Sequence, residues 1–117
     1  MGEEGDEGGG VKINMKTLTE AQKFISEKYK NTEENYPELT KLSNEERVKF
    51  DVRHCALHSV KLAGKLAAIS EDADHGETLD TEKVKKLAVK ELINALVLAD
   101  RVGLSADELL KRVSEEV

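Results

Sequence analysis

Aromatic residues make up only 3% of this chain, and proline and cysteine occur once each. With so few large rings, the interior has to be filled by Leu, Val, Ile and Ala, and a single proline leaves helical runs almost uninterrupted. Both absences point to an all-α protein. The lone Cys55 cannot form an intramolecular disulfide, so a reducing cytoplasm is the natural compartment. No apolar run approaches the length of a signal-peptide core or a membrane span, which argues against a membrane partner. A basic excess is missing too: 18 Lys and Arg stand against 24 Asp and Glu, for a net charge of -6. That balance, with no aromatic partners beside the basic residues, argues against a nucleic-acid partner. There is no glycine-rich phosphate loop, because the glycines near the N-terminus precede no strand.

What is present suits one modest domain, since 117 residues with 38% hydrophobic content do not fill two cores. The chain opens with MGEEGDEGGG, which has no apolar residue after Met1 to offset the entropy of ordering its backbone. Residues 1–14 are therefore expected to be a disordered acidic tail, a passive solubilising end rather than an interaction segment, and residues 15–117 the helical domain. Glu3, Glu4, Asp6 and Glu7 supply much of the acidity, so the remainder is closer to balanced.

Four helices are expected. Thr19 with Gln22 fits a capping box, and Leu18, Ala21, Phe24, Ile25 and Tyr29 carry helical spacing to about Asn31. Pro37 then starts a short turn at YPEL, with Tyr36, Leu39 and Leu42 pinning the connector to the core. Ser43 and Glu46 form a stronger capping box that opens a long helix to about Ser70. After a polar link containing Gly76, Asp80 or Thr81 caps a third helix over Glu82 to Val102, with Gly103 suited to the left-handed position after its end. Ser105 and Glu108 form a third box, opening a short helix to about Glu116. With no strand signal, the architecture is a four-helix bundle.

The informative stretch is HCALHSVKLAGKL, from His54 to Leu66. His54, His58, Lys61 and Lys65 fall in one narrow line along a helix, while the apolar residues between them wrap so much of the circumference that this helix should be largely buried. Cys55 lies on the apolar side, about 100° from its histidine neighbours, and reads as a buried thiol rather than a nucleophile.

The segments AGKLA (Ala63 to Ala67) and ELINALVLADRVGLS (Glu91 to Ser105) resemble the MazG-type all-α nucleotide pyrophosphohydrolases, over roughly residues 17 to 116. The resemblance implies a MazG-like bundle in which each site lies at a helix pair near a dimer interface. The family's chemistry rests on E-E-x-x-E on the central helix and E-x-x-D on the next, carboxylates that hold magnesium against the substrate's phosphates. Here those positions fall on Lys61, Leu62 and Lys65, and on Leu87 and Lys90. Ammonium groups cannot coordinate Mg²⁺, so the resemblance implies the fold and not the activity.

Three readings of this altered stripe follow. In one, Lys61 and Lys65 face Lys90, with Lys86, Asn94, His54 and His58 nearby, and the lysines take the place of the metal in binding a nucleotide or phosphate without any cofactor. In another, the lysines are merely a solvated face, paired with Asp51, Glu91, Asp72 or Asp74, and the protein is a purely structural helical dimer. In the third, an enzyme survives on relocated ligands: the i, i+4 pair His54 and His58 shares a metal completed by Asp72, Asp74 or His75. Mg²⁺ enters as a cofactor only with such a retained pyrophosphohydrolase. Under every reading a homodimer is expected, because the third helix is apolar on more faces than a four-helix monomer covers.

Overall fold

The computed structural model describes residues 15–117, so the tail expected over residues 1–14 lies outside the described residues. Four helices and one 3-10 turn follow in the order α1 (Leu18–Lys28), the turn Pro37–Lys41, α2 (Asn44–Asp74), α3 (Thr81–Arg101) and α4 (Ala106–Glu116), with no strand among the described residues. The all-α expectation holds, with corrections at the helix ends.

Helix α1 is capped by Thr17, not Thr19. The Thr17 hydroxyl accepts from the Glu20 N–H at 3.1 Å, and the Glu20 carboxylate accepts from the Thr17 N–H at 3.1 Å. Gln22, read from sequence as half of a capping box, is instead buried and reaches across the fold. Its amide donates to the Leu104 carbonyl at 2.9 Å and accepts from the Ala106 N–H at 2.9 Å, which satisfies one of the free donors at the start of α4. The helix also ends at Lys28, short of Asn31.

Helix α2 starts at the expected Ser43–Glu46 box, with both reciprocal bonds present, but runs to Asp74 instead of Ser70. Gly76 sets that end. At φ 98° it takes the left-handed position, its N–H donates to Ala73 O at 3.2 Å, and the Glu77 N–H donates to Asp72 O at 3.1 Å. Gly103, at φ 77°, closes α3 in the same way, as its position predicted. Asp80 caps α3 by accepting from the Lys83 N–H, and Ser105 caps α4 by accepting from the Glu108 N–H. The box expected at α4 is only half made, because the Glu108 carboxylate turns to Arg112 at 3.0 Å.

Helix α3 is the hub: α2 packs mainly on it, α1 packs on it and on α4, and α4 touches it only briefly while resting chiefly on α1. Ile25, Cys55, Leu96 and Val97 form the core, with Leu18, Ala21, Ile93 and Leu109 packed around them. Leu39 of the connector and Phe50 of α2 are buried, and Tyr36 meets the Phe50 ring edge-on at 5.2 Å, so the connector is pinned as expected. The expectation that α2 is largely buried fails. A helix with one substantial neighbour buries one stripe, here Phe50, Cys55 and Leu62, and leaves Leu57 at 61% and Val60 at 69% exposed. Val89 and Leu92 on α3 are likewise open, at 59% and 53%. The radius of gyration, 16.7 Å, exceeds the roughly 13 Å of a compact domain of this length because the long α2–α3 hairpin extends beyond the packed end.

Candidate functional site

The stripe His54, His58, Lys61, Lys65 on α2 has a counterpart on α3 with the same spacing: Lys90, Asn94, Val97 and Arg101. The two helices are antiparallel. Asn94 donates from its amide nitrogen to the Cys55 carbonyl and to the Ser59 hydroxyl, both at 2.9 Å, which fixes their register. In that register the two stripes line one cleft of about 450 Å³, closed at one end by the chain that follows α1.

The cleft brings together His54, His58, Lys61, Lys65, Lys90 and Asn94 from the expected set. It does not include Lys86, which lies off the lining. Further contributors that the sequence reading did not include are Lys28 at the end of α1, Lys30 just after it, Tyr36 from the connector, and Arg101 on α3. Only Arg101 had a legible signal, since it continues the Lys90–Asn94 line by seven residues. The others depend on how α1 and the connector fold back, which local pattern does not encode.

Arg101 is an anchor more than a free cation. Its guanidinium donates to the Ser26 and Tyr29 carbonyls at 3.3 and 3.2 Å, satisfying acceptors at the C-terminal end of α1, and its Nε lies 3.8 Å from Asp51. Asp51 in turn accepts from the Asn31 amide at 2.6 Å. Asp51 is therefore taken up by these partners and does not pair with the lysines. Within the described residues Lys61, Lys65 and Lys90 have no carboxylate within 4.0 Å, so the pairing expected with Glu91, Asp72 or Asp74 does not form inside the chain. All three lysines are exposed at the mouth of the cleft.

His54 is half-buried in the cleft, whereas His58 is exposed. His54 stacks on Phe50 with ring centroids 6.0 Å apart and meets Tyr36 edge-on at 5.4 Å, which holds its ring in place. Its Nε2 lies 3.4 Å from the Tyr36 hydroxyl and 3.3 Å from the His58 Nε2. Burial lowers the His54 pKa below its ordinary value and the neighbouring His58 lowers it further, while Asp51 opposes them, so the neutral ring is favoured. Cys55 is buried in the core as expected, and burial pushes its thiol pKa up, which keeps it protonated and unsuited to nucleophilic attack.

A magnesium site of the kind the family resemblance implies does not fit these donors. The family's carboxylate positions hold Lys61, Leu62, Lys65, Leu87 and Lys90, and no cluster of three or more His, Cys, Asp or Glu side chains among the described residues can hold a metal. The relocated-ligand idea fails on distance: Asp72 and His75 lie fourteen or more residues beyond His58, about 21 Å or more along the helical rise. Asp74 falls in the same remote turn. No described helix is long and apolar enough to cross a membrane. Comparison with known proteins gives no match to this chain, whether among protein-family models, curated proteins or solved structures.

Proposed function

We propose that this chain is a non-catalytic helical protein of the MazG type that binds a phosphate-bearing ligand, a nucleotide or inorganic phosphate, in the cleft between α2 and α3. The observation that supports this reading best is the convergence of Lys61 and Lys65 from one helix with Lys90 from the next on a common cleft, with no carboxylate neutralising them among the described residues. Point charges on flexible stems adapt to tetrahedral phosphate oxygens, and their mutual repulsion is relieved when an anion enters. Lys28 and Lys30 extend the positive lining toward the connector.

Titration with pyrophosphate and ATP, followed on backbone amides with and without Mg²⁺, tests the reading. Shifts that do not need magnesium should cluster at Lys61, Lys65 and Lys90, and Lys65→Glu should weaken binding by about tenfold or more, equivalent to ~1.4 kcal/mol. Magnesium-dependent release of pyrophosphate from a nucleotide would instead restore an enzyme.

A second feature supports the homodimer that the apolar pattern suggested. Leu57 and Val60 on α2 and Val89 and Leu92 on α3 are more than half exposed, a density of apolar side chains that a monomer leaves wet at a cost of about 25 cal/mol per Å². A second copy with its own uncovered hairpin is the partner of matching chemistry. Sedimentation should give a dimer at micromolar concentration, and Leu57→Asp with Val60→Asp should give a folded monomer. A clean wild-type monomer would leave the anion cleft as a feature of the single chain and remove the dimer.

A further inference from the structure

We propose that His54 and His58 form a two-imidazole site for a late first-row divalent cation of the zinc type, in the same cleft that the lysines line but argued from the geometry of the two rings and not from the anion reading. The spacing is i, i+4 on α2, which stacks two side chains on one helix face. Spacing alone is common, and the geometry is what singles this pair out. Both rings present the same nitrogen to each other, with the two Nε2 atoms 3.3 Å apart and the ring planes tilted by 52°. A tetrahedral cation with metal–nitrogen bonds of roughly 2.0–2.1 Å holds two ligand nitrogens about 3.3–3.4 Å apart, so the pair already stands at the separation that such an ion imposes. An octahedral ion with bonds of the same length would draw them to about 2.9–3.0 Å, by the same trigonometry.

The surroundings prepare the pair. His54 is held between Phe50 and the edge of Tyr36, so one ligand is fixed before the metal arrives and only exposed His58 has to be ordered. The Tyr36 hydroxyl, 3.4 Å from the His54 Nε2, is within reach of a water bound to the ion. Because no third His, Cys, Asp or Glu joins the pair among the described residues, the remaining positions go to water or to an oxyanion from the cleft. Two protein ligands, with lysines lining the same cleft, make this a weaker site than a closed four-ligand structural one.

The test uses the full chain with Zn²⁺ alone, in a buffer free of phosphate, followed on the side-chain nitrogens of all three histidines. One equivalent should shift the Nε2 resonances of His54 and His58 together and leave His75 unmoved. His58→Gln, an exposed substitution that leaves the fold intact, should weaken binding at least about tenfold, whereas His75→Gln should leave it unchanged. Co²⁺ in place of Zn²⁺ should give the visible absorption of a tetrahedral complex, lost in His58→Gln. Absence of shifts at His54 and His58 at millimolar Zn²⁺, or unaltered affinity in His58→Gln, overturns the site. Neither result bears on pyrophosphate binding, which is measured without the metal.

Discussion

The two ends of this molecule are built differently. At one end α1, α4 and the C-terminal half of α3 are joined by polar clamps, one largely buried and one half-buried: Gln22 holds the α3–α4 turn and Arg101 holds the end of α1, over a core of Ile25, Leu96 and Val97. At the other end, the C-terminal half of α2 and the N-terminal half of α3 form an antiparallel pair with exposed apolar side chains and three lysines that have no carboxylate partner among the described residues. The first end encloses the core and pairs most of its buried polar groups within one chain, leaving Ser26 Oγ without a partner and Val102, Leu110 and Val113 half exposed. The second adds to its exposed apolar side chains a set of cations with no carboxylate beside them, and surface of that sort is what binds other molecules.

The contrast is sharpest at Leu96, which is fully buried. Leu96→Ala should destabilise the fold by about 2–5 kcal/mol, read from chemical denaturation, because the cavity it leaves lies under α1. The matching truncation on the open hairpin, Val60→Ala, should change monomer stability by less than about 0.5 kcal/mol. Equal effects at the two positions would mean that the hairpin is as well covered as the clamped end.

Gln22→Ala comes next. It leaves the Leu104 carbonyl and the Ala106 N–H without their partner in a buried setting, at a cost of about 1–3 kcal/mol. The amide protons of α4 should lose hydrogen-exchange protection before those of α2, since α4 depends on that clamp and α2 does not. Simultaneous loss of protection in both helices would contradict the division into two ends.

The smallest expected effect is the pH dependence at His54. Its folded pKa is lowered from 6.5, chiefly by burial and then by His58, with Asp51 opposing and Arg53 adding to the shift. The unfolded chain therefore binds more protons than the native one below 6.5, so stability that is fully present above that pH is lost as pH falls through the lowered folded value. Urea midpoints should drop slightly over that interval in wild type and not in His54→Gln. The effect is small because His54 keeps much of its solvent contact, and water screens the charges that face it from His58, Asp51 and Arg53.

How much of this was legible in the sequence depended on whether the deciding contact was local. The Ser43–Glu46 box, the Asp80 cap and the Gly103 terminator act over three or four residues, and each was readable. The start of α1 was not, because TLTEAQ contains two overlapping signals, Thr17 with Glu20 and Thr19 with Gln22. What separates them is that Gln22 is used 82 residues away at Leu104, which no local pattern reveals. The cleft divides in the same way. Its α2 wall followed from helical periodicity and Lys90 from the family resemblance, whereas Lys28, Lys30 and Tyr36 enter only because α1 and the connector fold back over α2. Lys86 illustrates the opposite error, since four residues before Lys90 is the right spacing but places it beyond the cleft.

The central claim is that lysines from two helices act together on one anion, and the affinity of Lys90→Glu for pyrophosphate tests it most directly. Measured calorimetrically without Mg²⁺, wild type should bind pyrophosphate and lose affinity steeply as salt rises. Lys90→Glu, on the opposite helix from Lys61 and Lys65, should weaken binding by about tenfold or more. Undiminished affinity in that variant, or no magnesium-free binding by the wild-type chain, would contradict the account.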